Sequence, residues 1–493
     1  MRDVLKIHPS DNAAVCLRDI PAGECLEVGG SPVTALEAIP AGHKIALTNI
    51  PEGEKVVKYG SPIGKAKCDI AKGSHIHVQN LGTLLSGKLT YSYQPMDADV
   101  ESMPHSAFMG YRRENGRVGI RNELWIMPTV GCVNDVAQEL EKAAQGLVGG
   151  GVDAVLAFRH PYGCSQMSED QENTRTVLGD LIGHPNAGGV LVLGLGCENS
   201  GIDVLKNSIA DPESPRVRYL VAQSVEDEIA EGMKLLRELK ARMDRDERVP
   251  CGTEELVVGL KCGGSDGFSD ITANPVIGAF SDLLVAQGGS TILTEVPEMF
   301  GAETLLMERC KDEATFRKTV ALINDFKDYF ERHHQVVYEN PSPGNKAGGI
   351  TTLEEKALGC TQKSGKAKVT DVLKYGGTVK AAGLNLLSAP GNDLVASTAL
   401  AAAGAQIILF STGRGTPFAS PVPTVKISSN TALADRKRNW IDLDAGRVLE
   451  NRSIQDAGQE LMALVLAIAN GRQVCSERRG FHDLAIFKTG VTL

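Results

Sequence analysis

Aromatic residues are scarce: Phe, Trp and Tyr make up 5% of the 493 residues, with two tryptophans. A broad aromatic binding face is therefore not expected. Positive charge is not in excess either, with Lys+Arg at 51 against 61 for Asp+Glu and a formal net charge of -10. Such a chain has no general attraction to nucleic acid or an anionic membrane. No apolar run approaches the roughly 20 residues of a bilayer span; the longest late in the chain is Leu461 to Ala469. The opening Met1-Arg-Asp-Val-Leu-Lys has no apolar signal core and no small-residue cleavage site. The eleven cysteines include no Cys-x2-Cys pair, which excludes a zinc knuckle, and their scatter through a large chain points to a reducing compartment. These absences predict a soluble, cytoplasmic, multidomain enzyme with neither nucleic acid nor membrane as partner, and leave a homo-oligomer open.

Glycine, by contrast, is abundant at 53 residues. A short phrase recurs near the start: Ile20-Pro-Ala-Gly23-Glu, Ile39-Pro-Ala-Gly42-His, Ile50-Pro-Glu-Gly53-Glu and Ile70-Ala-Lys-Gly73-Ser. Proline followed two residues later by glycine fits a type II turn, in which Pro fixes φ and Gly accepts φ > 0. Short β-rich runs lie between the phrases, so residues 1–92 read as a small all-β domain. Residues 93–110 read as a polar linker. From 111 onward buried strands alternate with amphipathic helices, the pattern of an α/β fold with mainly parallel sheets. We divide it into a first part, 111–335, and a second, 336–493. A Gly/Pro-rich stretch, Asn340 to Gly365, interrupts the alternation, and a capped helix near Thr351 marks it as functional rather than disordered.

Strand after strand ends in a glycine-bearing turn with polar or thiol side chains. The turns carry Cys132 and Asn134; His160, Cys164 and Gln166; Cys197, Glu198 and Asn199; Lys261, Cys262 and Ser265; Glu295 and Glu298; Asn392 and Asp393; and Arg414 and Thr416. In α/β sheets, ligands bind beyond the carboxyl ends of strands, where such turns and helix N-termini converge. We therefore expect one composite polar site. The Gly194-Leu-Gly-Cys-Glu-Asn run lacks the third glycine of a dinucleotide fingerprint, and Pro343-Gly-Asn-Lys346 lacks the Gly-Lys-[Ser/Thr] of a phosphate loop, so nucleotide binding is not supported.

Buried free cysteine ordinarily acts as a small hydrophobe. Cys132, Cys164, Cys197 and Cys262, however, occupy strand-end turns where no packing residue is needed, and four thiols from separate turns suit iron, single or clustered. His75 and His77 alternate in Ser74-His-Ile-His-Val-Gln79-Asn80, which places both imidazoles and Gln79 on one strand face as a minimal metal half-site or a polar interface. His160 is a general-base candidate. His333 and His334 sit among charges on a helix and read as solvated.

These turns carry a resemblance. Asn122-Glu-Leu-Trp-Ile-Met-Pro-Thr-Val-Gly-Cys-Val-Asn134, Tyr162-Gly-Cys-Ser-Gln166, Gly194-Leu-Gly-Cys-Glu-Asn199, Cys262-Gly-Gly-Ser-Asp-Gly267, Leu386-Leu-Ser-Ala-Pro-Gly-Asn-Asp393 and Ser411-Thr-Gly-Arg-Gly-Thr-Pro417 are similar to motifs of the altronate/galactarate dehydratase superfamily. The resemblance implies a SAF-type (β-clip) N-terminal domain and a large catalytic region. It also implies dehydration of D-altronate to 2-dehydro-3-deoxy-D-gluconate in galacturonate catabolism, with Fe2+ or alternatively Mn2+. Related sugar-acid lyases of galactarate or sulfolactate type, or a non-catalytic sugar-acid binder, are the alternatives. One departure stands out: the family's N-terminal His-x-His-x-His motif has Gln79 at its third position here. Such a reaction needs a metal, a base, an acid and clamps for carboxylate and hydroxyls. We expect iron on His75 and His77 or on thiols among Cys132, Cys164, Cys197 and Cys262. His160 or Lys261 is the expected base, and Glu198 or Glu295 the acid or a metal ligand. Lys346 and Arg414 are the expected carboxylate clamps, with Asn392 and Asp393 reading hydroxyls.

Overall fold

The architecture is that of a computed structural model, which describes residues 3–85, 87–337, 340–450 and 452–493. The N-terminal domain is built from very short strands. One antiparallel sheet has the order β1-β2-β5-β8, comprising Val4–Leu5, Ala13–Cys16, Lys44–Ala46 and His75–Ile76. A hairpin joins β3 (Cys25–Val28) to β4 (Ser31–Thr34), and a third sheet orders β6 (Lys55–Lys58), β7 (Ser61–Ala66) and β9 (Leu81–Gly82) as β6-β7-β9. The recurring phrase does what its chemistry requires. Its glycines Gly23, Gly42, Gly53 and Gly73 have φ of 82°, 81°, 84° and 91°, a region glycine enters without steric cost. Its isoleucines pair as bridges, Ile20 with Ile39 and Ile50 with Ile70, and all four are buried in the domain's core.

The segment read as a linker has no regular structure before β10 (Ala107–Arg112) but is strapped to the large domain. Tyr93 donates its hydroxyl to the Cys310 carbonyl at 2.9 Å, and the amides of Met96 and Met103 donate to Glu308 and Ala286. A three-stranded sheet follows, in which β10 lies between β11 (Val118–Gly119) and β16 (Val249–Gly252).

The catalytic region holds two parallel sheets. The first orders β12 (Glu123–Pro128), β13 (Val155–Ala157), β14 (Ala187–Gly194) and β15 (Val217–Val221) as β13-β12-β14-β15. The second contains β17 (Val257–Cys262), β18 (Ser290–Leu293), β19 (Val369–Leu373), β20 (Gly383–Leu387), β21 (Ile407–Thr412), β22 (Thr424–Ser428) and β23 (Leu443–Asp444), ordered β19-β20-β18-β17-β21-β22-β23. Every residue of β12, β14, β18, β20, β21 and β22 is buried. Continuous apolar runs of this kind are what parallel strands covered on both faces require. The sheets divide between Val221 and Val257, earlier than the 335/336 boundary read from sequence. Among the described residues no helix is long and apolar enough to cross a membrane.

The small domain docks through charge as well as shape. Lys44, fully buried, donates to the Gly349 carbonyl at 2.7 Å, Thr351 Oγ1 at 3.0 Å and Glu355 Oε2 at 2.9 Å. Lys58 donates to Glu355 Oε1 at 2.9 Å. Burial pushes the Glu355 carboxyl up, but the two ammonium groups outweigh it and hold the group down at about 2. Close approach seals the contact: a Cβ at Gly267 would stand 2.0 Å from the Gly42 carbonyl oxygen. Removing the charge of Glu355 strands two buried lysines. We expect Glu355→Gln to lower unfolding stability by about 3–5 kcal/mol, read by urea denaturation at neutral pH; a change within experimental error would show that the ion triad is not what secures the docking.

Candidate active site

The carboxyl edge of the seven-stranded sheet gathers a dense ionic group. Lys261, at the end of β17 and fully buried, donates to Glu295, to Asp393 Oδ1 at 2.8 Å and to the Cys262 carbonyl at 2.6 Å. Burial alone would lower its pKa, yet the facing carboxylates drive it above the ordinary lysine range. Lys261 is thus an ammonium held between two acids, and the expectation that it acts as a free base finds no support in this geometry. Glu295 follows β18 in a left-handed conformation, φ 67°, ψ 51°. Such a backbone is costly for a non-glycine residue and persists only where surrounding contacts fix it. Here the contacts are Lys261, Lys363 Nζ at 2.7 Å and the Cys262 amide at 3.1 Å.

Beneath this lies a thiol pair. Cys262 Sγ and Cys360 Sγ are 3.4 Å apart; Lys363 Nζ donates to Cys262 Sγ at 2.9 Å, and Cys360 Sγ lies 3.1 Å from Glu298 Oε2. The hydrogen bond from Cys360 holds the Cys262 thiol below its usual range against burial, with the Lys363 ammonium adding to it, while the same bond and burial push Cys360 up. Burial opposes ionisation of Glu298, but Lys356, Lys261 and Lys363 hold it at about 2. Cys262, Glu298 and Cys360 lie close enough to ligate one ion. Three buried ammonium groups already satisfy these atoms, however, and would repel a cation there.

Three imidazoles offer the better-matched metal cradle. One ring nitrogen each from His43, His75 and His77 lies within 4.8 Å of the others. His43 Nδ1 and His75 Nε2 are 3.0 Å apart, and His77 Nδ1 meets Thr351 Oγ1 at 3.0 Å. Burial lowers His43 and brings both His75 and His77 down to about 4, so the rings are neutral and their lone pairs free for a borderline cation such as Fe2+. The strand reading placed His75 and His77 together correctly but put Gln79 with them. The strand ends at Ile76, and a tight turn that bonds the Asn80 side chain to the His77 amide swings Gln79 away, where it is exposed and donates to the His75 carbonyl. The third imidazole is instead His43, from the turn of the second Ile-Pro-Ala-Gly phrase.

The short helix Pro343–Ala347 joins the two groups. His43 Nε2 faces the Ala347 carbonyl at 3.4 Å, and Arg414 Nη1 donates to the Gly344 carbonyl at 3.4 Å. Arg414 then borders Gly264, while a Cβ on Gly263 would collide with Asp393 Oδ2 at 2.6 Å. Lys346 is half-buried on this helix and Arg414 is exposed. His43, Lys346, Arg414, Asp393, Lys261 and Glu295 therefore follow one another along a single edge. Asn392 is used differently: its side chain caps the helix Asp393–Ala402 by accepting from the Leu394 and Val395 amides, a structural duty.

The remaining expected residues belong to the other sheet. Cys132, Cys164, Cys197, His160 and Glu198 all follow β12, β13 or β14, and among the described residues no hydrogen bond joins their turns to the edge that bears Lys261. The expected residues are thus distributed over the edges of two sheets. His160 is buried; its Nε2 meets the Pro128 carbonyl at 2.8 Å and its Nδ1 accepts from the Tyr162 amide. Burial lowers it to about 4. With both nitrogens committed it braces a turn and has no lone pair for a substrate proton, which corrects the general-base expectation. Glu198 folds onto its own turn; burial is outweighed by donors from Thr129, Gly196 and Leu195, and the carboxyl lies below its usual range. That is the wrong direction for a proton donor.

Sequence reading missed His43, Lys356, Cys360 and Lys363 as site residues and named Glu298 in a strand-end turn without giving it a role. A signal existed for some of them. His43 is the residue after the phrase's glycine, where the other three copies carry Glu, Glu and Ser, and Cys360 and Lys363 fall in the Asn340 to Gly365 stretch.

Comparison with known families agrees with the partition into modules. Residues 2–84 match the altronate/galactarate dehydratase SAF domain, 110–244 the second domain of D-galactarate dehydratase/altronate hydrolase, and 253–492 the C-terminal domain of D-galactarate/altronate dehydratase. The chain is 54% identical to altronate dehydratase of Bacillus subtilis (strain 168), over the whole of both proteins. It is 52% identical to altronate dehydratase of Escherichia coli (strain K12), over 99% of each. Galactarate dehydratase (L-threo-forming) of the latter organism is 32% identical, covering 98% of this chain and 96% of its own length. With all three modules in order and this similarity end to end, the chain belongs to the altronate/galactarate dehydratase family.

Proposed function

We propose that this enzyme dehydrates D-altronate to 2-dehydro-3-deoxy-D-gluconate, a step of galacturonate catabolism, with Fe2+ (alternatively Mn2+) held by His43, His75 and His77. The observation that carries the metal assignment is the meeting of three neutral imidazoles against the helix Pro343–Ala347, which bears Lys346 and meets Arg414, two cations without a salt bridge among the described residues. Losing water from a 2,3-dihydroxy acid removes the C2 proton, expels the C3 hydroxyl and leaves an enol that becomes the 2-keto acid. The α-proton of a carboxylate is poorly acidic, and a bound divalent cation would supply the Lewis acid that neutralises charge developing on the substrate's oxygens.

The chain's own groups do the rest. Arg414 offers a planar guanidinium to the substrate carboxylate, and Lys346, on the helix between it and the imidazoles, is placed to meet substrate oxygens. On the helix Pro343–Ala347 the Gly344 carbonyl that Arg414 meets and the Ala347 carbonyl that His43 faces are about 4.5 Å apart along the axis, with Lys346 between them. Asp393 is the base in this reading: its side chain is one-third exposed, whereas that of Glu295 is closed off. Lys261 fixes the Asp393 carboxylate, and Glu295 stands ready to keep the ammonium paired once Asp393 has taken the C2 proton.

Two outcomes follow. With Fe2+ added to apo-protein, His43→Ala, His75→Ala and His77→Ala should each lower bound iron by at least about tenfold, whereas Gln79→Ala should match wild type when metal is measured by atomic emission. Retention of iron by His43→Ala would refute the three-imidazole site. In a keto-acid assay on D-altronate with Fe2+ and reductant, Asp393→Asn should lower kcat by about 10²–10⁴ with KM little changed. A loss confined to KM would make Asp393 a binding group instead.

A further inference from the structure

We propose that Cys132, Cys164 and Cys197 are the protein ligands of an iron–sulfur cluster at the carboxyl edge of the four-stranded sheet, distinct from the three-imidazole site. Beyond the small domain, eight cysteines remain; five (Cys251, Cys262, Cys310, Cys360 and Cys475) are buried, and these three alone reach the surface. They leave the ends of three strands adjacent in the order β13-β12-β14, spaced about 4.8 Å from neighbour to neighbour. Cys132 and Cys197 are exposed and have no packing purpose, and Cys164, partly buried at the margin of this sheet's core, still reaches the surface beside them.

The turns are knitted together. The Gly131 amide donates to the Tyr162 carbonyl at 3.0 Å, and the Ser200 amide to the Gly163 carbonyl at 3.1 Å. A Cβ at Gly163 would lie 1.9 Å from the Thr129 carbonyl oxygen. The turn bearing Cys164 is thus pressed against the turn of Cys132 on one side and bonded to that of Cys197 on the other. Asn199 spans the last gap: its Oδ1 accepts from the Ser165 amide at 3.0 Å and from Cys164 Sγ at 3.3 Å. Gly163 and Ser165, on either side of Cys164, have φ of 102° and 56°, and Gly196 before Cys197 has 127°. A left-handed serine is strained backbone, and Asn199 maintains it.

The three thiols do not form a single-ion site. A single tetrahedral ion with Zn–S bonds of about 2.3 Å needs its sulfurs within roughly 4 Å of one another. The three thiols are not among the groups whose ligand atoms all lie within 4.8 Å. A cluster of several irons holds its thiolates farther apart than a single ion does, and so does not need them that close. Cys262, the fourth expected thiol, is occupied by Lys363 in the other sheet, and His160 and Glu198 are turned inward. One iron of the cluster would then lack a protein ligand and stay open to an oxygen ligand of the hydroxy-acid class.

The test is reconstitution of full-length apo-protein under anaerobic conditions with a mixture of Fe2+ and Fe3+ and sulfide, the ferric iron supplying the cluster's oxidising equivalents, followed by iron and acid-labile sulfide analysis and visible absorption. Wild type should take up about four sulfides per chain with a sulfur-to-iron charge-transfer band. The Cys132→Ser/Cys164→Ser/Cys197→Ser triple variant should lose the sulfide and the band while keeping the wild-type urea midpoint. Cys25→Ser/Cys68→Ser, which removes the small domain's exposed thiols, should keep both. The His43→Ala/His75→Ala/His77→Ala variant should also keep them, so failure of the imidazole metal site and failure of the cluster are read separately. Wild type that takes up no acid-labile sulfide, or equal sulfide in the three-cysteine variant, would overturn the proposal.

Discussion

One buried carboxylate ties the two halves of the catalytic edge together. Glu355 accepts from Lys44 and Lys58 of the small domain and sits on the helix Leu353–Thr361, whose next residue, Lys356, pairs with Glu298 at 3.1 Å. One turn further on the same helix is Cys360, in contact with Cys262. Thr351, just before the helix, meets both Lys44 and His77. A single nine-residue element thus carries the anchor of the small domain and half of the buried thiol–carboxylate group. Ion pairs this deep are poor sources of net stability, because desolvation offsets attraction; what they enforce is one arrangement over others.

The same reasoning separates the roles of the charges at the strand ends. Lys261, Lys356 and Lys363 face Glu295, Glu298, Asp393 and the Cys262 sulfur, a near-balanced set with almost no solvent access. Each ammonium is held charged by its partners, so none is available as a neutral amine. The value of the network lies in pre-orientation: when charge develops on a substrate at its rim, dipoles and cations are already in place and need not reorganise. Asp393, with its partial exposure, is where this buried order reaches the solvent.

Much of this was legible from residue order. The turn chemistry of the Ile-Pro-x-Gly phrase gave the small domain, and continuous Val/Ile/Leu runs gave the parallel strands. Lys261, Glu295, Asp393 and Arg414 do meet at one strand edge, as the rule for open sheets requires. The rule says which end of a strand binds ligands but not which sheet a strand joins, and that is why Cys132, Cys164 and Cys197 separate from Cys262. His160 illustrates a second limit: its turn position was readable, but the Pro128 carbonyl and Tyr162 amide that consume its nitrogens are tertiary partners. Gln79 illustrates a third, since alternation holds only while the strand lasts, and this one stops at Ile76.

The imidazole cradle is divided in an instructive way between the modules. All three rings belong to the small domain, yet the groups that orient two of them, the Ala347 carbonyl beside His43 and the Thr351 hydroxyl beside His77, belong to the large one. Outer partners of this kind fix ring orientation and raise ligand affinity. If the three imidazoles hold a cation as proposed, docking and metal binding are linked: whatever favours the docked arrangement favours the cation, and a bound cation favours docking by the same free energy. The Glu355 triad keeps the large domain's half of that shell in place, so in the proposed assignment a carboxylate that meets neither metal nor substrate bears on how two of the three rings are oriented.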